Sequence, residues 1–482
     1  MNDPNGLVWF DGEYHLFFQF NPHGDVWGHM SWGHAVSTDL IHWQELPLAI
    51  PEDPDYMIFS GSIVVDKDNT AGFAGPGQTA LVAIYTGAAQ APRSLQNQQL
   101  AFSLDRGRTW VKYAGNPVLD IGAASFRDPK VFWHAPSARW IMVVVLSELR
   151  RARFYASSDL RHWRHLSDFG PTHDGDGIWE CPDLIPLTLP AQDGAAARTV
   201  WMFKVDVFEN HVAGSSGARV YFGDFDGNAF HAPAHAWQWV DWGMDFYASA
   251  SWSNLPGADG DPALAAEAIW LGWLDNHVYA KELPTAPWRG QMSLPRMLSL
   301  CRTEGPVGMA LVQQPVPGLR ALRQPLLTQA ACVIASGERL IDWPGPGEHR
   351  ALDIEVELIP PPQGSCGLLL RVGRPEAGLS ERTVVGYDAV RGALFLDRSA
   401  SGFLPAFAPY AGRRHAPWPL PADGVVRLRL LLDSSSIELL SLDGSCWLSE
   451  RIVPGAGSLG LGLWSEQGEA VLQRLQVYRL DA

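Results

Sequence analysis

Apolar and polar residues alternate over short distances along most of this chain, and the alternation breaks at turn residues. Residues 7–10 and 13–20 are two such runs, and Asp11-Gly12 between them is a two-residue hairpin signal. Similar β-type runs occur at 62–65, 81–85, 131–133, 140–146, 200–205, 220–222 and 268–273. No long stretch carries the 3.6-residue periodicity of a helix. A turn recurs between the runs: Ser37-Thr38-Asp39-Leu40-Ile41-His42-Trp43 returns as Ser157-Ser158-Asp159-Leu160-Arg161-His162-Trp163. Ser103-Leu104-Asp105-Arg106-Gly107-Arg108-Thr109-Trp110 is a looser copy, and Gly223-Asp224-Phe225-Asp226-Gly227 a weaker one. Each follows an apolar strand. The spacing predicts one four-stranded antiparallel unit per repeat, as in a β-propeller. About five such units fit into the first 300 residues, and the period alone leaves five and six blades open.

The texture changes after Cys301. Gln313-Gln314-Pro315-Val316-Pro317-Gly318 reads as a linker and 319–327 as a short helix. Alternating runs resume at 351–358, 367–372, 425–432, 437–440 and 459–463, which predicts an antiparallel β-sandwich. The expected organisation is an all-β chain: a propeller over 1–300, a linker over 301–335 and a sandwich over 336–482. Tryptophan divides the same way, 17 of the 21 lying in residues 1–300. Trp packs cores and also stacks on sugar rings.

Composition narrows the function. With 482 residues and a hydrophobic fraction of 46% the chain can bury two real cores. The net charge of −16 argues against a nucleic-acid partner. The longest apolar runs are too short to span a bilayer, so no membrane role is expected. Five scattered cysteines show neither a disulfide framework nor zinc-ligand spacing. His29 and His34 are five apart and lack the Glu of a zinc helix, and Asp174-Gly175-Asp176-Gly177 lacks the spacing of a calcium loop. No metal and no cofactor is expected.

The candidate chemistry sits on three turns. Met1-Asn2-Asp3-Pro4-Asn5-Gly6 opens the chain, and alone it is an ordinary Pro/Asn-Gly turn. Phe126-Arg127-Asp128-Pro129-Lys130 and Trp179-Glu180-Cys181-Pro182-Asp183 each put a carboxylate beside a proline and close to an aromatic residue. In a propeller, strand ends from different blades meet at the central channel, so Asp3, Asp128 and Glu180 can converge. Paired carboxyl groups suit glycosidic-bond cleavage, which proceeds with retention when they lie roughly 5–5.5 Å apart.

The three motifs, in this order, resemble glycoside hydrolase family 32, the β-fructosidases. That resemblance covers nearly the whole chain. It implies five blades with a sandwich behind them, Asp3 as nucleophile, Asp128 as transition-state stabiliser and Glu180 as acid/base. A raised Glu180 pKa is expected from Trp179 and the charge of Asp3. The resemblance also implies sugar-binding roles for Asn2, Gln19, Trp27, Phe59, Ser60, Arg127 and Trp288, with Asp245-Phe246-Tyr247-Ala248 and Arg289-Gly290 completing the rim. Asp433-Ser434-Ser435-Ser436-Ile437-Glu438 resembles a marker of the family's sandwich, expected here as a supporting module.

The runs from Asn21 to Ala35 and from Leu81 to Trp110 look most like exo-levanases and exo-inulinases, so the expected substrates are fructans and sucrose. A fructosyltransferase or a sucrose(-6-phosphate) hydrolase would use the same site; a non-catalytic fructan-binding propeller would have no need of Glu180. Oligomeric state is left open. In the family a Trp and a further segment precede the first motif, so an upstream segment is expected in the natural product. Localisation follows from that: cytoplasmic if Met1 is the true start, secreted or periplasmic if a leader precedes it.

Overall fold

A computed structural model describes residues 1–171, 177–192, 194–233, 236–256, 268–305, 307–345, 347, 350–373 and 381–481. Asp174, Gly175 and Asp176 of the calcium-like turn lie outside these. The elements are almost all antiparallel strands, joined by a few 3₁₀ turns. Among the described residues up to Pro315 the strands form five successive sheets, three of four strands and two of five. The first hairpin is as predicted: Pro4–Phe10 pairs with Glu13–Phe20, and Phe10 faces Glu13 across the Asp11-Gly12 turn.

Each sheet begins with one inner strand: Pro4–Phe10, Tyr56–Asp66, Phe126–His134, Ile178–Leu189 and Tyr247–Ser251. Each inner strand packs against the next, and the fifth packs against the first. There Trp9 N–H donates to Ser253 O at 3.0 Å and Ser253 N–H donates to Leu7 O at 2.8 Å. The five inner strands thus form a closed ring.

The repeated turn occupies one place in the pattern, the link between the third and fourth strands of the first four sheets. Its residues explain why. Asp39 Oδ1 accepts the backbone N–H groups of Ile41 and His42, each at 2.8 Å, and the Trp43 indole donates to Leu40 O at 3.2 Å. Asp159, His162, Trp163 and Leu160 repeat these bonds, and Trp110 donates to Gly107 O at 3.0 Å in the looser copy. Such side-chain-to-backbone bonds satisfy the turn locally.

Residues 301–335 are not the expected linker. Arg296–Arg302 and Met309–Pro315 pair as the last two strands of the fifth sheet, and Pro315 sits opposite Arg296. The 3₁₀ turn Pro317–Leu322 carries the chain from one half to the other, and 323–329 is strand where a helix was expected. Arg323–Gln329 pairs with the last strand, Ala470–Leu480, so tertiary pairing overrides a locally ambiguous apolar run. From there the chain forms a seven-stranded and a six-stranded sheet. Ile354, Leu428 and Leu475 of one sheet share a single core with Leu368, Val385 and Leu463 of the other.

The two halves are joined by buried ion pairs. Across the halves Arg296 of the fifth sheet reaches Glu438 at 2.7 Å, Arg398 reaches Asp245 at 2.8 Å and Arg451 reaches Asp275 at 2.7 Å; within its own half Arg296 also meets Asp241 at 3.1 Å and Arg398 meets Glu450 at 2.6 Å. All these side chains are buried. Removing one partner leaves an uncompensated buried charge, which costs about 3–5 kcal/mol. Arg398→Ala is therefore expected to lower the unfolding free energy by that amount, read as a lower urea midpoint at unchanged slope. An unchanged midpoint would show that the two halves do not depend on this pair.

Candidate active site

All five inner strands break their pairing register near their start. The shifts fall between Asn5 and Val8, Ile58 and Gly61, Arg127 and Lys130, Glu180 and Asp183, and Tyr247 and Ala250. Four of the five also carry a residue with positive φ there: Gly6 (53°), Asp128 (66°), Cys181 (46°) and Ala248 (51°). A bulge re-aims the side chains around it. Asn5, Phe59 with Ser60, Arg127 with Asp128, Glu180 with Cys181, and Tyr247 with Ala248 occupy the equivalent place in five different sheets, and Asp3 stands immediately before the first. At Gly6 a Cβ would come within 2.7 Å of Ile63 Cδ1, so the first bulge needs glycine for space as well as for φ.

The side chains brought together touch one another. Asp3 Oδ1 accepts from Asn2 Nδ2 at 3.0 Å, and Asp3 Oδ2 accepts from Ser60 Oγ at 2.7 Å. The Asp3 carbonyl takes the Gln19 N–H at 2.9 Å and Asn5 Nδ2 at 3.1 Å. Asp128 is pinned by its own N–H, which donates to Thr86 Oγ1, and by the Cys181 N–H donating to its Oδ2, both at 2.9 Å. The Cys181 thiol lies between two carboxylates, 3.8 Å from Asp3 Oδ2 and 3.7 Å from Asp128 Oδ2. Arg127 Nε and Nη2 donate to Glu180 Oε1 at 3.1 and 3.0 Å, and the Tyr247 hydroxyl donates to Glu180 Oε2 at 2.5 Å.

These contacts set the protonation. Burial pushes the Asp128 carboxyl up to about 7; Arg127 opposes this, while the charges of Glu180 and Asp3 add to it. Burial would raise Glu180 too, but Arg127, His277 and the Tyr247 hydrogen bond outweigh it and hold the carboxyl below its usual range. The expected raised Glu180 pKa is thus corrected for the free site. Trp179 cannot supply the shift, because neighbours along a strand face opposite ways. Its ring packs among Phe169, Phe203 and Tyr221. Burial also keeps the Cys181 thiol protonated, well above its usual value.

The remaining predicted residues fall into two groups. Gln19 is buried, and its Nε2 has no hydrogen-bond partner among the described residues. Asn2, Trp27 and Trp288 line a cavity of about 1050 Å³ that opens beside the carboxylates, together with Trp273, His277 and Arg289. None of the three carboxylates lines this cavity; it borders them through Asn2, which bonds Asp3, and through His277, edge-on to both Tyr247 and Trp273 at 4.9 Å. Trp27 and Trp288 are exposed, Trp27 at 65%, and Trp27 meets the half-buried Phe59 edge-on at 6.0 Å. His29 and His34 do not meet. His29 is at the surface beside Glu52, and His34 is buried 3.0 Å from His15.

Sequence reasoning missed Lys204 and Asp206. They sit two residues apart on one face of the strand Arg198–Phe208, at the end of a run read only as apolar, and are buried behind the site. Lys204 Nζ donates to Cys181 O at 2.9 Å, to Ser249 O at 2.6 Å and to the Asp206 carboxylate. It ties the bulges of two sheets together. Burial lifts the Asp206 carboxyl to about 8 despite Lys204, with Asp3 and Glu180 adding to the rise.

Comparison with known proteins identifies the family. The chain is 40% identical over 488 residues to a levanase from Bacillus subtilis, covering all of this chain and 68% of that protein. It is 34% identical over 514 residues to an extracellular exo-inulinase from Aspergillus awamori, covering all of this chain and 92% of that one. The crystal structure of exo-inulinase from Aspergillus awamori superposes with a TM-score of 0.90 at 33% identity, over 100% of this chain and 96% of that chain. Residues 1–315 match the N-terminal domain and residues 325–479 the C-terminal domain of glycosyl hydrolases family 32, and the chain belongs to that family.

Proposed function

We propose that this chain is a retaining exo-glycosidase that releases terminal β-D-fructose from fructans and from sucrose. The observation that carries it is the meeting of Asp128 and Glu180, at equivalent bulges of two sheets, with Asp3, just ahead of the bulge of a third, joined through Cys181 and Arg127. The levanase and exo-inulinase relatives point to the same substrates. In this reading the five sheets are the blades of a five-bladed propeller ending at Pro315, and the two later sheets are a supporting sandwich.

Asp3 attacks the anomeric carbon while Glu180 gives its proton to the departing oxygen. This forms a fructosyl ester on Asp3, which water then hydrolyses with Glu180 as base. Ser60 and Asn2 hold the Asp3 oxygens in line for attack. Asp128 places negative charge against the oxocarbenium-like transition state. Gln19, with its buried unpaired N–H₂, takes a sugar hydroxyl, and Trp27 and Trp288 wall the entrance.

The test is the product profile from levan, inulin and sucrose. Free fructose as the sole early product of the polymers is expected. Short oligosaccharides would replace exo by endo cleavage, and glucose from sucrose without matching fructose would replace hydrolysis by transfer. Within this reading, Trp27→Ala removes only stacking. It is expected to raise KM for inulin about tenfold, equivalent to about 1.4 kcal/mol, with kcat little changed. A fall in kcat at constant KM would move Trp27 from the wall to the reacting centre.

A further inference from the structure

The loop between Glu13–Phe20 and Ser31–Ser37 contributes two histidines to a second cluster, which takes no part in the chemistry above. Its fold is local. Asn21 Nδ2 donates to Val26 O at 2.7 Å and Asn21 Oδ1 accepts the His23 N–H at 2.8 Å, which turns the loop back on itself. His23 is thereby set edge-on to His29, with ring centroids 5.1 Å apart. His29 adopts a φ of 51°, and its Nδ1 lies 2.5 Å from Glu52 Oε1. Glu52 is held in turn: its N–H donates to Ser31 Oγ at 2.9 Å, and Ser31 Oγ donates to His29 O at 3.2 Å. One ligand atom from each of His23, His29 and Glu52 lies within 4.8 Å of the other two.

We propose that His23, His29 and Glu52 bind one divalent transition-metal ion of the Zn²⁺ class, and that the ion stiffens the loop that carries Trp27. The donor set is two imidazole nitrogens and one carboxylate oxygen. That set suits Zn²⁺, Cu²⁺ or Ni²⁺ and not Mg²⁺ or Ca²⁺, which take oxygen ligands. Three protein ligands at a surface leave the fourth tetrahedral position to water. A hydrogen bond between His29 and Glu52 explains one histidine; it does not explain why Asn21 folds the second onto the same spot.

The mechanical consequence follows from chain position. The ion would tie residues 23 and 29 of one loop to residue 52, which precedes the inner strand of the next sheet. Between those anchors lie Asp25, paired with Arg289 at 3.1 Å, and Trp27, against Phe59. An ion that binds the closed loop and not the open one shifts the loop toward closure. The inference rests on this geometry alone and holds whatever the site beside it hydrolyses.

The test is calorimetric titration of the full chain with ZnCl₂, with amide hydrogen exchange of residues 24–30 followed in parallel. One ion per chain and slowed exchange in that segment are expected. His29→Gln and Glu52→Gln should each weaken binding about tenfold or more. His162→Gln, an exposed histidine paired with Asp159 in another sheet, should leave it unchanged. Co²⁺ should give the intense visible bands of a tetrahedral site, lost in His23→Gln. Equal Zn²⁺ affinity in a His23→Gln/His29→Gln double variant would overturn the site, and binding without slowed exchange would overturn its effect on the loop.

Discussion

Asp3→Asn is expected to lower kcat for sucrose on the order of 10⁴-fold or more while leaving the fold and KM nearly intact. The amide is isosteric, so the contacts from Ser60 and Asn2 can rearrange around it without opening a cavity. What is lost is the negative oxygen that bonds to the anomeric carbon. Removing the bond that orients Asp3 is a much smaller change: Ser60→Ala leaves the carboxylate, its Asn2 contact and the backbone cradle, and should cost about tenfold in kcat. Steady-state assays on the two variants separate attack from positioning. If Asp3→Asn retained a tenth of the activity, nucleophilic attack would have to come from another group, and Asp3 would be reduced to holding the sugar. A burst of glucose from sucrose, followed by slower fructose release, would be the kinetic trace of the ester.

How much of this could be read from the residues follows from where the chemistry lies. Asp3, Asp128 and Glu180 stand out because each lies within two residues of a proline in a short motif with recognisable neighbours. The turns closed by Trp43, Trp110 and Trp163 were legible for a related reason: side chain and backbone satisfy each other within seven or eight residues. Lys204 and Asp206 were not legible, since a charged pair inside an apolar strand reads the same whether it faces solvent or a buried carbonyl such as Cys181 O. The bulges were hidden too. Asp128, Cys181 and Ala248 take positive φ without being Gly or Asn, so only the assembled ring reveals that five strands break register at one level. The boundary was misplaced for a third reason. Gln313-Gln314-Pro315 has linker composition, yet Gln313 is buried and donates its Nε2–H to Val240 O at 2.7 Å.

Glu180→Gln should act on the leaving group rather than on attack. With sucrose or inulin the departing oxygen needs a proton, and kcat is expected to fall about 10³-fold. With β-fructosyl fluoride, which departs without one, formation of the ester should be nearly unaffected. Equal losses on both substrates would remove Glu180 from the acid role. The free site adds a condition to that role. Arg127, His277 and Tyr247 favour the ionised form of Glu180, while burial and the neighbouring carboxylates lift Asp128 to about 7. Two interacting carboxyls in one buried site titrate together, and these opposite shifts favour the retained proton on Asp128 before substrate binds. Cleavage needs that proton on Glu180, so binding has to transfer it. Because the group that keeps it has a raised pKa, the proton is present below about pH 7 and lost above it, and kcat/KM should decline on that alkaline side. Arg127 favours the ionised form of both carboxyls. In Arg127→Gln the pair holds its proton to higher pH, so the alkaline limb should move upward even though the lost orientation lowers kcat. A limb that stays in place would separate Arg127 from the proton, leaving it only the task of aiming Glu180.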